Sequence, residues 1–168
     1  TSKSSEKVNE IKKDKFLKLQ IVVGFSALLD NYGNICEVIQ RDGFKVDSMI
    51  YAHLEGDYST MMAKTTGLGI IELSTAFERL KPDIVFTIGD RFETLATAIS
   101  ATYMNIPLAH TMGGEISGNL DESVRHAVTK LAHLHFPASK ESYNRIIKLG
   151  EVPESICLSG CPRIDLVK

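Results

Sequence analysis

The sequence has no long hydrophobic run and no block of basic residues. No apolar segment of the 168-residue chain approaches the roughly 20 residues that a membrane-spanning helix needs. Its 19 Lys and Arg residues are offset by 21 Asp and Glu residues, for a net charge of -2. This balance argues against a nucleic acid or an anionic membrane as the main partner. A hydrophobic content of 43% agrees instead with one globular domain that has a sizeable core.

Cysteine is also scarce, with thiols only at Cys36, Cys157 and Cys161. An odd number of cysteines and no recognisable signal peptide favour a reducing cytoplasm, with the thiols as small core residues. No cysteine stands at zinc-ligand spacing from the histidines, so structural histidines are favoured over a metal site. We therefore expect a cytoplasmic protein with no metal and no cofactor.

The most informative stretch runs from Lys81 to His126. Residues 84–88 are apolar at almost every position, which is typical of a strand buried on both faces. Residues 92–104 have apolar side chains at helical spacing, and a second strand is predicted at 106–109. Strand, helix and strand form a βαβ unit, whose crossover makes the strands parallel and brings their carboxyl ends to one edge of the sheet.

Ligands bind at that edge in open α/β sheets, so the residues that follow the two strands should converge on one crevice. They are Asp90, Arg91, His110, Gly113, Gly114 and Glu115. A phosphate suits such an edge, because helix N-termini offer free amides and arginine offers a planar fork. Two alternatives remain open. Asp90 could simply cap the following helix, and Glu115 could orient its loop rather than act as an acid or base.

A further helix is predicted to begin at the same crevice, where Asn119 followed by Glu122 resembles a capping box. Its expected apolar stripe consists of Leu120, Val124, Ala127, Val128 and Leu131. Asp121 and Arg125 lie one turn apart off this stripe, as do Glu122 and His126. Asp121 and Arg125 could be a solvated pair, but the position of their helix favours a role in the site.

The rest of the chain alternates between strands and helices. Strands are predicted at 19–23, 44–51, 134–137 and 156–158, and helices at 1–15, 35–39, 57–80, 139–149 and in a short tail after residue 162. This alternation predicts an α/β fold, a three-layer sandwich with a mainly parallel sheet.

Four segments in order, GDRFETLATA, NIPLAHTMGGE, SGNLDESVRHAVTKLAH and GCPRIDL, resemble the hydrolysing UDP-N-acetylglucosamine 2-epimerase family of sialic acid biosynthesis. The similarity covers about residues 17–168 and implies the Rossmann-like amino-terminal half of a GT-B-type enzyme. The family also has a strand before the first helix and a second Rossmann-like half. Residues 1–168 are therefore expected to be a single Rossmann-like domain that is truncated at both ends.

In this family UDP is eliminated to a glycal, and water then adds with inversion at C2 to release N-acetylmannosamine. This chemistry needs a base for the C2 proton and a cation for the departing diphosphate. The resemblance implies catalytic roles for Asp90 and Asp121, with Glu115 as a further candidate acid or base. The residues expected to contact the UDP-sugar are Arg91, Arg125, His110, His126, Gly113 and Gly114. The resemblance also implies a homo-oligomer.

Two positions depart from the family pattern. Met112 stands where relatives carry an active-site Glu, and Ala27 where they often carry His. Because Met cannot exchange a proton, either Glu115 takes over or the substrate is different, such as a UDP-2,4-diacetamido-trideoxyhexose of legionaminic acid pathways. A GT-B glycosyltransferase fragment and a catalytically inactive fragment that retains an assembly surface are the remaining alternatives.

Overall fold

The computed structural model describes residues 11–33, 35–56 and 59–161. The described residues divide into two compact units, one formed by those from 11 to 53 and the other by those from 54 to 161. The helix predicted at 1–15 is described only from residue 11, and residues 11–13 are helical. The helical tail predicted after residue 162 lies outside the described residues.

The first unit contains a two-stranded parallel sheet. Strand β1 (Val22–Gly24) pairs with β2 (Ser48–Ile50), and helix α1 (Ile35–Arg41) lies between them in the chain, after the 3-10 turns Phe25–Leu28 and Asp30–Tyr32. Both strands are shorter than predicted. At Ile21 the N–H donates to a carboxylate oxygen of Asp47 at 2.9 Å. A side chain thus takes a donor that a longer ladder would need.

The second unit is a three-stranded parallel sheet with helices between its strands. Its elements in chain order are α2 (Ser59–Leu80), β3 (Val85–Ile88), α3 (Phe92–Tyr103), β4 (Leu108–Thr111), α4 (Leu120–Leu131), β5 (Leu134–Phe136) and α5 (Lys140–Lys148). The strand order is β3-β4-β5. The strand predicted at 156–158 is reduced to one parallel bridge between Ile156 and His135, after the 3-10 turn Pro153–Ser155.

The predicted βαβ unit is confirmed, because β3 and β4 pair in parallel from Val85 with Leu108 to Ile88 with Thr111. The turn after Ile88 and the loop after Thr111 therefore begin at the same edge of the sheet. Well-packed side chains fix this arrangement. Leu108 on β4 and Val128 on α4 are fully buried, and each contributes about 2 kcal/mol by leaving water.

The prediction that β3 is buried on both faces is wrong. Val85 and Thr87 are buried, but Phe86 is 54% and Ile88 65% exposed. Successive right-handed crossovers in a sheet of sequential order place α3 and α4 on the same face, and Val85 and Thr87 point to it. On the opposite face the ring of Phe86 instead contacts that of Phe136, with centroids 5.8 Å apart.

No helix in the described ranges is long and apolar enough to cross a bilayer.

Candidate active site

Asp90 and Arg125 form an ion pair at the carboxyl edge of the second unit's sheet. Asp90 lies in the turn after β3, and its Oδ2 accepts a hydrogen bond from Nη2 of Arg125 on α4. The Arg125 side chain is 5% exposed and that of Asp90 30% exposed, so the pair is open to solvent only on the aspartate side. The N-cap position of α3 belongs to Arg91 and has no side-chain cap bond, which removes the capping alternative for Asp90.

Arg125 also holds the loop between β4 and α4. Its Nη1 donates to the carbonyl oxygen of Glu115 at 2.7 Å, and both terminal nitrogens lie 3.4 Å from Oγ of Ser117. The planar fork of the guanidinium thus joins the turn after β3 to this loop. In the part of the chain that the structure describes, Oδ1 of Asp90 has no hydrogen-bond partner. This carboxylate oxygen is available to a substrate.

The burial of Arg125 corrects the predicted face of α4. Leu120 and Ala127 were expected to point inward, but both are exposed, and the buried positions are Arg125, Val128 and Thr129. A buried charge is tolerated only when it is paired and hydrogen-bonded. Asp90 and the carbonyl of Glu115 meet this condition, so the helix turns its arginine inward and leaves Leu120 outside.

A second arginine, which the sequence analysis did not single out, holds the same loop. Nη1 of Arg145 on α5 donates to the carbonyl oxygen of Gly114 at 2.9 Å. The two arginines therefore bind the carbonyls of two consecutive residues, Gly114 and Glu115. Arg145 lies 31 positions after Gly114 in an ordinary amphipathic helix, so no local pattern pointed to this contact.

Gly113 and Gly114, two of the three glycines of the loop, lie against neighbouring helices. A Cβ atom at Gly114 would lie 2.4 Å from the carbonyl oxygen of Ser142, and its φ is +78°. A Cβ atom at Gly113 would lie 2.9 Å from Oγ1 of Thr129 and 3.2 Å from Nδ1 of His110. Close packing against α4 and α5 thus requires these glycines. Their contact with a substrate stays a prediction.

His110 on β4 is fully buried beside the pair. Its Nε2 lies 2.9 Å from the carbonyl oxygen of Gly89, and its Nδ1 lies 3.3 Å from Oγ1 of Thr129. Burial lowers the pKa of His110 from 6.5 to about 4, so the ring is neutral near neutral pH. A neutral ring next to a carbonyl donates from Nε2 and accepts at Nδ1. Both nitrogens face protein groups, and the predicted contact of His110 with substrate stays a prediction.

The predicted N-cap of α4 is confirmed at Asn119, although Glu122 accepts from the two residues before Asn119 rather than from the N–H of Asn119 that a capping box would use. Oδ1 of Asn119 accepts the N–H of Glu122 at 3.3 Å. Oε2 of Glu122 in turn accepts the N–H groups of Ser117 and Gly118, both at 2.7 Å. These two backbone bonds are the main reason why the pKa of Glu122 lies below its ordinary value. The cap fixes the end of the loop that Arg125 and Arg145 hold at its start.

Within the described ranges, the side chains of the remaining candidates form no bond with the pair. Arg91 is exposed, with Nε 3.3 Å from Oε2 of Glu93. Asp121 is half-buried in the first turn of α4, and Nε2 of His126 lies 3.8 Å from Glu122. Glu115 contributes its carbonyl, but no bond joins its carboxylate to the pair. Among the described residues, no group of three His, Cys, Asp or Glu side chains could hold a metal ion.

Comparison with known proteins identifies relatives over nearly the whole chain. Residues 9–168 match the family model for UDP-N-acetylglucosamine 2-epimerase. A UDP-N,N'-diacetylbacillosamine 2-epimerase (hydrolyzing) of Legionella pneumophila is 42% identical over 134 residues, which are 80% of this chain and 36% of the relative. A GDP/UDP-N,N'-diacetylbacillosamine 2-epimerase (hydrolyzing) of Campylobacter jejuni is 35% identical over 161 residues, 95% of this chain and 42% of the relative.

A UDP-N-acetylglucosamine 2-epimerase of Neisseria meningitidis is 28% identical over 151 residues, 90% of this chain and 39% of the relative. The chain thus spans less than half the length of these three curated relatives.

Solved structures share the fold. The crystal structure of UDP-GlcNAc 2-epimerase from Neisseria meningitidis bound to UDP-GlcNAc matches with a TM-score of 0.80 at 21% identity, over 94% of this chain and 43% of that one. The predicted α/β class with parallel sheets, a Rossmann-like domain of the GT-B type, is thereby confirmed. The family match over residues 9–168, which is most of the sequence, shows that the chain belongs to the UDP-N-acetylglucosamine 2-epimerase family.

Proposed function

We propose that the full-length protein is a hydrolysing UDP-sugar 2-epimerase in which the Asp90–Arg125 pair is part of the catalytic centre. The observation that supports this is the pair itself. One oxygen of the Asp90 carboxylate is bound to a buried guanidinium, and the other has no partner in the described part of the chain and lies at the sheet edge where ligands bind. A carboxylate oriented in this way is suited to proton transfer.

Asp90 acts as the base in the proposed mechanism. Its Oδ1 accepts the C2 proton while the bond between C1 and the UDP oxygen breaks, which leaves a glycal with a C1–C2 double bond. Water then adds its hydroxyl to C1 while a second acid protonates C2 from the opposite face, and the proton that water loses returns to the carboxylate of that acid, which gives the inverted sugar. Asp121 and Glu115 are the candidates for this second group, because Asp121 lies one turn before Arg125 on α4 and the carbonyl of Glu115 binds Arg125.

Arg125 and Arg91 have different roles in this proposal. Arg125 orients Asp90 and the loop, because its guanidinium is buried and its terminal nitrogens face protein acceptors. Arg91 binds the departing diphosphate, because its side chain is 58% exposed at the start of α3. An exposed arginine next to the free amides at the start of a helix is suited to a diphosphate.

The substrate we propose is UDP-N,N'-diacetylbacillosamine. Relatives with this substrate in their names are 42% and 35% identical to the chain, against 28% for the Neisseria UDP-N-acetylglucosamine 2-epimerase. UDP-N-acetylglucosamine is the second candidate, supported by the description of the family and by the Neisseria relative.

Proton NMR of each UDP-sugar in deuterated water, incubated with the full-length protein, tests the reaction and the substrate together. We expect release of a 2-epimerised sugar with deuterium at C2, faster from the diacetamido sugar. Asp90→Asn should lower kcat about 10²- to 10⁴-fold, the usual contribution of a general base. Asp83→Asn is the matched control, since Asp83 is exposed and lies before β3 at the opposite edge of the sheet. If neither sugar is released, the proposed reaction is wrong.

A further inference from the structure

We propose that His110 is a positioning residue that sets the spacing between Asp90 and Arg125 from inside the domain. The inference rests on the proposed function, in which this pair carries the proton transfer. The imidazole is 0% exposed, so a role through direct contact with a sugar would require the surrounding residues to move. Its bonds within the protein suggest a different task.

One imidazole ring is connected to both members of the pair. On one side its Nε2 lies 2.9 Å from the carbonyl oxygen of Gly89, the residue directly before Asp90. On the other side its Nδ1 lies 3.3 Å from Oγ1 of Thr129, and the same hydroxyl is 2.9 Å from the carbonyl oxygen of Arg125. The ring thus connects the turn that carries the carboxylate to the helical turn that carries the guanidinium.

The protonation of the ring is consistent with this connection. Burial leaves His110 neutral, with a pKa of about 4, so the nitrogen that faces the Gly89 carbonyl carries the single ring proton. Nδ1 can then only accept. The Thr129 hydroxyl, with one proton, donates either to Nδ1 or to the carbonyl oxygen of Arg125, and Nε2 donates to Gly89 in both cases.

The surroundings leave the ring little freedom to move. The backbone of His110 is paired with Thr87 on β3 and with His135 on β5, so it lies in the middle strand of the ladder. Gly113 lies against the ring so closely that a Cβ atom there would approach Nδ1 to 3.2 Å. A displacement of about 1 Å at a reacting group can cost about 100-fold in rate. Removal of the connection should therefore affect the chemical step more than binding.

Four variants of the full-length protein test the proposal. His110→Leu removes both bonds, whereas His110→Gln keeps an amide that can donate to Gly89. Thr129→Val keeps the shape of Thr129 without its hydroxyl, and Thr129→Ser restores the hydroxyl. His133→Gln is the matched control, because Nδ1 of His133 accepts the N–H of Leu108 at 3.2 Å, at the other end of β4.

We expect His110→Leu to lower kcat for C2 exchange about 100-fold with KM changed less than about threefold, and His110→Gln to recover much of that loss. Thr129→Val should lower kcat in the same direction, while Thr129→Ser and His133→Gln stay near wild type. Normal kcat in both His110→Leu and Thr129→Val would overturn the proposal. Equal loss in His110→Gln and His110→Leu would also overturn it, since the Gly89 bond would then be irrelevant.

A second readout separates positioning from simple loss of folded protein. The ¹⁵N signal of the Arg125 guanidinium is measured without substrate, and calorimetric titration with UDP counts the folded sites. We expect His110→Leu to bind UDP at wild-type stoichiometry while the Arg125 signal shifts and exchanges faster with water. An unchanged Arg125 signal would overturn the proposal. If the wild type releases no sugar, the proposed function fails, yet this measurement still decides whether His110 positions the pair.

Discussion

The steric environment of Gly114 leads to a prediction that can be tested against a control in the same loop. Gly114 and Gly118 both have a positive φ, +78° and +70°. A Cβ atom at Gly114 would lie 2.4 Å from the Ser142 carbonyl oxygen and 3.0 Å from Cγ1 of Ile146, whereas nothing lies within 4 Å of one at Gly118. Alanine at the two positions therefore differs in steric overlap but not in backbone strain.

The expected losses in the free energy of unfolding follow from the backbone strain and the steric overlap. An L-residue held in the left-handed region costs about 1 kcal/mol, and this applies to both variants. Overpacking adds about 1–3 kcal/mol, and this applies only to Gly114→Ala, because its nearest obstacle is a backbone oxygen that cannot rotate away. We expect Gly118→Ala to lower the free energy of unfolding by about 1 kcal/mol and Gly114→Ala by about 2–4 kcal/mol.

Urea unfolding followed by circular dichroism measures the difference. With a slope of about 2 kcal/mol per molar urea, the midpoint of Gly114→Ala should lie about 0.5–1.5 M below that of Gly118→Ala. The free energy of unfolding must depend on urea concentration with the same slope in both variants, so that the difference in midpoint reports stability alone. If the two variants agree within about 0.5 kcal/mol, the close approach of the loop to α5 is not present in solution and the reasoning is refuted.

Two further predictions concern the cap of α4 and the buried histidine. Asn119→Ala should lower the free energy of unfolding by about 1 kcal/mol, because the N–H of Glu122 loses its side-chain acceptor, whereas Asn119→Asp should be nearly neutral in the same urea assay. The pKa of His110 lies at about 4 in the folded protein against 6.5 unfolded, so the unfolded chain binds the proton first as the pH falls. The contribution of neutral His110 to the free energy of unfolding is therefore complete above pH 6.5, and about 3 kcal/mol of it is lost as the pH falls from 6.5 to about 4. The free energy of unfolding of His110→Gln should depend less on pH over this range than that of the wild type. Parallel curves for the two proteins would contradict the assignment.

The site could be predicted from sequence where its residues follow strand ends or helix starts. Asp90 lies two residues after the end of a strand, and Asn119 with Glu122 marks a helix start, so both positions follow from local rules. The pairing of Asp90 with Arg125 spans 35 positions and needs the βαβ geometry before it can be inferred. Arg145 has no comparable signal, because its contact depends on where α5 packs.

The wrong predictions of burial at Arg125 and Phe86 have one cause, because periodicity assigns burial from the residue type alone. Periodicity placed Arg125 among the exposed positions of α4, and the structure buries it because acceptors from two other segments lie beneath it. The apolar run at 84–88 likewise predicted that Phe86 is buried, because such a run cannot reveal that both crossover helices lie on the opposite face of the sheet. Catalytic roles for Asp90, Asp121 and Glu115 stay predictions until the proton exchange is measured.

The bonds of Arg145 and Arg125 to the carbonyls of Gly114 and Glu115 limit which segments can be exchanged in chimeras between members of this family. The loop from Met112 to Gly118 looks like a self-contained cassette, yet its shape depends on Arg125 in α4 and on Arg145 and Ser142 in α5. A graft of these seven residues alone would lack the side chains that bind and pack against the loop. The smallest segment that can be exchanged as a unit therefore extends from Met112 through Lys148, so that it includes both helices.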